Sequence, residues 1–104
     1  MADVVVLNSE NFDQETSNGL VLVDFYADWC GPCKMLAPYV EQFAKESTDF
    51  KVYKVNVDEA NDIANKFNIQ TIPTLIIFKD GELLEQTSGF MTNDDLIAFT
   101  NKAK

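Results

Sequence analysis

The chain has 104 residues, of which 46% are hydrophobic and 24% are charged. This composition is typical of a globular protein, and the length predicts a single domain over residues 1–104. Eight lysines, no arginine and 17 acidic residues give a net charge of −9, which would repel the phosphates of a nucleic acid. The sequence contains no histidine, so His-based catalytic triads and His-rich metal sites are excluded.

The apolar runs are too short to cross a membrane. Residues 20–23 are followed by Asp24, and residues 75–78 are followed by Lys79, whereas a spanning helix needs about 20 apolar residues. The first positively charged side chain is Lys34, and targeting segments carry basic residues near their start. We therefore expect no membrane association and a location in the reducing cytoplasm.

The first half of the chain predicts alternating strands and helices. Residues 4–7 form a short β-branched run, and Asn8 or Ser9 could cap a short helix that ends near Thr16. Residues 20–27 are apolar on both faces of a strand, which is typical of a sheet covered on both sides. A helix over about 33–46 follows, and its apolar residues fall on one face: Met35, Leu36, Tyr39, Val40, Phe43 and Ala44.

The second half continues the alternation and ends on a capped helix. The pattern predicts a strand at 52–57, a short helix around 63–67, and two strands at 74–78 and 83–87 joined by a turn at 80–81. Thr92 and Asp95 have the spacing of a capping box, so the last helix should begin at Thr92. This order predicts an α/β protein with a central mixed β-sheet flanked by helices on both faces.

Two cysteines, Cys30 and Cys33, lie where a buried strand meets the long helix. A structural disulfide is a weak explanation, because closing so short a loop stabilises a fold by only about 2 kcal/mol. Structural zinc needs four ligands, and the chain offers two thiols and no imidazole. Two unrelated buried thiols would leave the Gly-Pro spacer unexplained.

Reversible thiol–disulfide exchange fits the spacing better. Gly31 permits a sharp turn, and Pro32 suits the first turn of a helix, where a missing N–H costs nothing. Cys30 would then lie at the helix N-terminus, where free N–H groups and the helix dipole favour a thiolate. A thiolate is the attacking species in exchange. The arrangement therefore predicts that Cys30 attacks and that Cys33, which should be less exposed, resolves.

Several further motifs accompany the cysteine pair along the chain. They are residues 23–35, which include Trp-Cys-Gly-Pro-Cys, and Ala37-Pro38, Ile72-Pro73-Thr74, residues 78–81 and Gly89. With these motifs the chain resembles the thioredoxin family over almost its whole length. Two positions depart from the family pattern: Tyr26 stands where many members have tryptophan, and Thr71 stands where some have glycine.

The resemblance implies a thioredoxin fold and a protein-disulfide reductase that acts on client proteins and maintains cell redox homeostasis. Its Cys30–Cys33 disulfide would be redox-active and would be reduced again by a thioredoxin reductase, a flavoprotein supplied by NADPH or ferredoxin. The sequence has no glycine-rich nucleotide loop, so we expect no bound cofactor. We also expect no metal, no nucleic-acid or membrane partner, and a monomer.

Three further residues gain roles from the resemblance. Asp24 would be a buried base that takes the proton of Cys33, although from the pattern alone it could be a solvated carboxylate at a strand end. Lys54 would hold its ammonium near Asp24, or be an ordinary solvated lysine. Pro73 could simply start a strand, whereas the resemblance implies a cis Ile72–Pro73 bond that faces the cysteines.

The same resemblance implies a surface for client proteins. The backbone of Ile72 would pair with an extended client segment like a short added strand. A small, flat, apolar patch would surround the Cys30 sulfur, formed by Trp29, Gly31, Pro32, Ile72 and Gly89.

Two rival functions remain open at this stage. An oxidant or isomerase would use the same chemistry, but such relatives usually carry histidine between the cysteines, where this chain has Gly31 and Pro32. The other rival is a structural subunit of a larger complex, which could be an additional role. A measured reduction potential would distinguish a reductase from an oxidant or isomerase. A Cys-to-Ser double variant that kept all biological function would favour the structural subunit.

Overall fold

A computed structural model describes residues 4–104 of the chain. The strands are β1 (Val5–Val6), β2 (Leu20–Tyr26), β3 (Phe50–Asn56), β4 (Thr74–Lys79) and β5 (Glu82–Ser88). The helices are α1 (Phe12–Thr16), α2 (Gly31–Glu46), α3 (Asn61–Lys66) and α4 (Asn93–Asn101). None of the helices in this part of the chain has the length and apolar character needed to span a bilayer.

The strands form one mixed sheet in the order β1-β3-β2-β4-β5. The strand β3 runs parallel to β1 and β2, whereas β4 is antiparallel to both β2 and β5. In this register Asp24 of the central strand lies opposite Lys54 on one side and Leu75 on the other. The mixed sheet predicted from the element order is therefore confirmed.

Alternate residues of β2 enter two hydrophobic cores, because successive side chains of a strand point to opposite faces. Val21, Val23 and Phe25 pack with Phe12 of α1 and Ile63 of α3. On the other face, α2 and α4 cover Leu22 and its neighbours in β4. That second core comprises Leu22, Leu36, Val40, Phe43, Phe50, Leu75, Ile77, Leu96 and Phe99. The sheet is thus covered by helices on both faces, as predicted.

The predicted hairpin turn and the predicted capping box are both present. Asp80 and Gly81 both have positive φ, 51° and 88°, and they join β4 to β5. The Asp80 carboxylate also accepts the Gly19 N–H at 2.8 Å, which ties this hairpin to the start of β2. At α4, Thr92 Oγ1 accepts the Asp95 N–H at 3.3 Å and Asp95 Oδ2 accepts the Thr92 N–H at 3.1 Å, so the capping box is confirmed.

Three sequence predictions about the helices are wrong in detail. The first helix begins at Phe12 rather than near Asn8, because the Asn8 carboxamide accepts the N–H groups of Glu10 and Asn11 and closes a separate turn. The long helix begins at Gly31, about two residues earlier than predicted. Its apolar face is also narrower than the periodicity indicates, since Met35 is 62% exposed.

Candidate active site

The disulfide between Cys30 and Cys33 closes the first turn of α2. The two sulfur atoms are bonded, and the Cα atoms are 5.2 Å apart. Cys30 is the N-cap, with extended backbone, and its sulfur accepts the Cys33 N–H at 3.2 Å. Pro32 occupies the first turn, where it removes no helical hydrogen bond. The Gly-Pro spacer therefore lets the chain change from strand to helix while both sulfurs stay within one turn.

Exposure does not distinguish the two cysteines. Cys30 is 4% exposed and Cys33 is 3% exposed. The predicted difference in exposure is therefore too small to assign their roles. Their surroundings differ instead. The Cys30 sulfur lies 3.8 Å from the carbonyl oxygen of Ile72, whereas Cys33 lines an inner cavity that also contains Asp24.

The segment before β4 lies directly against Cys30. Its Ile72–Pro73 peptide bond is cis, as the resemblance implies. Among residues 4–104, no backbone group bonds to the N–H or the carbonyl of Ile72, and the Cys30 sulfur is the side-chain atom in contact with that carbonyl. The Pro73 carbonyl is occupied, since it accepts the Gly89 N–H at 2.8 Å. This bond holds the 89–91 segment beside Ile72 and Pro73.

The backbone conformation at position 89 requires a glycine. Its φ of 98° belongs to the region that residues with a Cβ rarely adopt. A Cβ placed there would meet no atom within 4 Å, so the glycine is needed for its backbone conformation and leaves an open surface beside Pro73.

Trp29 is the most exposed aromatic side chain next to the disulfide. It is 71% exposed, yet its indole N–H donates to the Asp58 carboxylate at 2.8 Å, which fixes the ring. Asp58 is held in turn, because its own N–H donates to Asn56 Oδ1 at 2.9 Å. Together with the exposed Gly31 and Pro32, Trp29 forms the surface beside Cys30.

Sequence reasoning missed Asp58. The signal was available in the topology: β2 and β3 are parallel neighbours, so the residues that follow them meet at the same edge of the sheet. Trp29 follows β2, and Asp58 follows β3. One charged residue among 17 acids could not be singled out before that pairing was known.

Asp24 is a buried acid beneath the disulfide. Its side chain is on the face of β2 that carries α2, and the residue is 3% exposed. Within the described chain its Oδ1 atom has no hydrogen-bond partner. Burial raises the pKa of Asp24 to about 7, and the positive charge of Lys54 opposes part of this rise. The predicted alternative, a solvated carboxylate at a strand end, is therefore wrong.

Lys54 lies beside Asp24 without forming an ion pair with it. The two residues are register partners on β3 and β2, but the salt bridges found in residues 4–104 are Lys66–Asp13 and Lys104–Asp49. The Lys54 ammonium instead lies over the ring of Tyr26, 5.3 Å from its centroid. Tyr26 thus provides a cation–π contact.

A cavity of about 140 Å³ connects these groups. It brings a buried carboxyl group, a lysine and the inner cysteine to one space. The cavity is lined by Asp24, Tyr26, Ala27, Asp28, Cys33, Lys34, Ala37 and Lys54.

Comparison with known proteins identifies the family. The thioredoxin family model matches residues 3–102. The chain is 44% identical to thioredoxin of Bacillus subtilis over 100 residues, which cover 95% of this chain and 96% of that protein. It is 43% identical to thioredoxin of Listeria monocytogenes over 97 residues, with 92% and 94% of the two chains covered.

Solved structures agree with this match. A thioredoxin of Plasmodium falciparum superposes with a TM-score of 0.91 at 36% identity and covers 97% of this chain and all 100% of its own. A variant thioredoxin of Halobacterium salinarum gives a TM-score of 0.88 at 38% identity, with 98% and 92% covered. With its vicinal cysteine pair at the start of α2, this chain belongs to the thioredoxin family, and its chemistry is dithiol–disulfide exchange that reduces protein disulfides.

Proposed function

We propose that Cys30 is the attacking thiol of this reductase and that Cys33 is the resolving thiol. The Cys30 thiolate attacks one sulfur of a client disulfide, so a Cys30–client bond forms while the client bond breaks and releases a thiolate. The Cys33 thiolate then attacks the Cys30 sulfur, which forms the Cys30–Cys33 disulfide and releases the second client thiol. Two electrons pass from the dithiol to the client.

The observation that carries this assignment is the position of the disulfide as the cap of α2. The Cys33 N–H that donates to the Cys30 sulfur at 3.2 Å would stabilise a thiolate there, as would the positive end of the helix dipole. Cys33 faces the cavity instead, where a leaving proton has an acceptor.

That acceptor is Asp24. A carboxyl group with a pKa of about 7 is half ionised near neutral pH and can take a proton from a neighbouring thiol. Lys54 would stabilise the ionised form through its charge, because its ammonium contributes a Coulombic attraction to Asp24. Both residues act through Cys33, so they should affect resolution more than attack.

The client would bind over the surface beside Cys30. The N–H and carbonyl of Ile72 suit an extended client segment, which would pair with them as an added strand. Trp29, Gly31 and Pro32 would lie on one side of that segment. Pro73 and Gly89 would complete the surface, since the hydrogen bond between them keeps the 89–91 segment close to Ile72.

Disulfide-containing proteins are the clients of this family, and thioredoxin reductase is its usual recycling partner. We further propose that residues 1–104 work as one domain and as a monomer in the cytoplasm, without a bound cofactor. A net charge of −9 disfavours nucleic acid as a partner.

The roles of the cysteines can be tested by trapping. Cys33→Ser should accumulate a mixed disulfide between Cys30 and the client, because attack survives while resolution is lost. Non-reducing gels followed by peptide mapping would identify the linkage. Cys30→Ser should form no adduct and should reduce no client disulfide, and the double variant is the blank. Equal trapping through Cys33 in the Cys30→Ser variant would contradict the assignment.

The direction of the chemistry needs a separate measurement. A reductase must have a reduction potential well below that of disulfide-forming catalysts. Equilibration of the Cys30–Cys33 pair with glutathione mixtures of known potential would give this value. An oxidising potential would favour the oxidant or isomerase over the reductase.

A further inference from the structure

Asn18 and Gly19 lie in the connection between α1 and β2, far along the chain from the cysteine pair. Asn18 is the only asparagine in the sequence that is followed by glycine, and both residues are exposed. The carboxamide carbon of an asparagine can be attacked by the backbone nitrogen of the next residue. A glycine leaves that nitrogen unhindered, because it has no Cβ. Of all the asparagines in the chain, Asn18 therefore has the neighbour that most favours deamidation.

The reaction passes through a cyclic imide. The Gly19 nitrogen loses its proton and bonds to Cγ of Asn18, and the carboxamide nitrogen leaves as ammonia. Water then breaks one of the two C–N bonds of the ring. Breaking the new bond gives aspartate in a normal backbone, whereas breaking the original peptide bond gives isoaspartate, which adds one carbon to the backbone. Either product carries one more negative charge than Asn18.

The structure restrains the attacking nitrogen. The Gly19 N–H donates to Oδ1 of Asp80 at 2.8 Å, and the Gly19 carbonyl accepts the Asp80 N–H at 3.0 Å. Leu20, the next residue, is the register partner of Lys79. Both backbone groups of Gly19 are thus held against the turn between β4 and β5.

The charge of Asp80 also opposes the chemistry. A carboxylate that accepts the Gly19 N–H disfavours loss of its proton, because the negative nitrogen formed would face a negative oxygen. The carboxamide of Asn18 is held only on the surface, where its nitrogen donates to Ser17 Oγ at 3.3 Å. The reaction is therefore restrained at the nucleophile, Gly19, rather than at the carbon under attack.

We propose that Asn18–Gly19 is a site of spontaneous deamidation and that the Asp80 carboxylate controls its rate. While Asp80 holds the Gly19 N–H, the ring closes slowly. When the turn between β4 and β5 separates from Gly19, the ring closes at the rate of an unfolded chain. Surface segments open locally at a lower free energy than global unfolding requires, so the modification reports on local opening at this turn. It involves neither Cys30 nor Cys33.

Ageing the purified full-length protein at neutral pH can test the proposal. Peptide mapping by mass spectrometry gives the fraction of Asn18 converted with time. The native wild type should react much more slowly than the same chain unfolded in urea. Asp80→Gly should react about tenfold faster than the native wild type, because a hydrogen bond to a charged acceptor contributes a factor of at least about ten. Glycine readily adopts the φ of 51° found at position 80, so the turn can still form.

Two further variants serve as controls. Glu82→Gln removes a carboxylate from the same hairpin and leaves the bonds between Gly19 and Asp80 in place, so its rate should equal that of the wild type. Asn18→Gln is the blank, because its longer side chain would have to close a larger ring. Hydrogen exchange of the Gly19 amide in the wild type needs no variant, and its slowing relative to the unfolded chain should match the slowing of deamidation.

Several results would overturn the inference. Equal rates for the native and unfolded wild type, or rapid exchange of the Gly19 amide, would show that the structure does not restrain this nitrogen. A folded Asp80→Gly protein that reacts at the wild-type rate would show that the carboxylate has no control. The same acceleration in Glu82→Gln would assign the effect to the charge of the hairpin in general. Faster conversion of any other asparagine in the native protein would overturn the site itself.

Discussion

At the scale of single residues, Asp24 is a carboxylic acid whose burial should destabilise the fold. Its folded pKa of about 7 exceeds the value of about 3.9 in an unfolded chain. Below the unfolded pKa the group is protonated in both states, so its ionisation makes no contribution to stability. As pH rises from about 4 towards 7, the unfolded chain ionises first, so stability falls, and the loss is complete above the folded pKa.

Asp24→Ala should therefore stabilise the protein at neutral pH, by on the order of 1–4 kcal/mol. The gain should grow from about pH 4 and level off above about pH 7, and urea unfolding at several pH values would measure it. The same variant should resolve mixed disulfides more slowly, which single-turnover kinetics would report. Asp28→Ala is the control. This acid lines the same cavity but is exposed, so its carboxylate stays hydrated when the chain folds. Destabilisation by Asp24→Ala at pH 7 would refute the account.

The sequence alone indicated which residues near the cysteines are candidates for a role, but it did not indicate which residues they contact. Asp24 stands out as a charge inside an apolar strand, and the Cys30–Cys33 spacing predicts both the turn and the helix. The contact of Trp29 with Asp58 and that of Phe90 with Tyr39 join residues about 30 and 50 positions apart. Such pairs depend on which strands are neighbours and on how the helices pack, and local patterns do not contain that information.

At the scale of elements, the N-terminus of α4 makes a clear prediction. Thr92 and Asp95 satisfy each other's backbone N–H groups, and α4 contributes Leu96 and Phe99 to the core. Thr92→Ala should lower the free energy of unfolding by about 1 kcal/mol. Denaturant unfolding would measure the loss, and Thr92→Ser, which keeps the hydroxyl, should restore most of it. Equal losses in both variants would show that the methyl group and not the cap is important.

The contrast between α4 and α1 shows what sequence patterns can locate. The capping box at Thr92 predicted its helix start correctly because only one residue in that stretch has the right partner three positions on. Before α1, Asn8 and Ser9 were both candidate caps, but the structure uses Asn8 to close a turn, and the N-cap is Asn11. Element type followed from hydrophobic periodicity, whereas element boundaries depended on which of several polar groups bonds to which N–H.

At the scale of the whole molecule, the charge of −9 should bias the choice of client. A disulfide peptide flanked by lysines should react faster than one flanked by glutamates at low salt, by about tenfold or more. Raising the ionic strength from about 0.01 M to about 1 M shortens the screening length from about 30 Å to about 3 Å, so the two rates should converge. Stopped-flow reduction at several salt concentrations would test this. Rates that keep their ratio at high salt would indicate a local contact instead of a long-range field.

The edges of the sheet have a consequence for solubility. One edge, β1, is only two residues long, and the other, β5, carries Glu82 and Glu85 beside the exposed Leu83 and Leu84. Free strand edges invite pairing between molecules, and charged side chains on them prevent it. Near the sequence pI of about 4.2 the net charge that keeps molecules apart approaches zero, so aggregation should begin there by β5-to-β5 pairing of still-folded molecules. Light scattering between pH 7 and pH 4 would detect it, and Leu84→Lys should delay it because the edge then keeps a charge in acid.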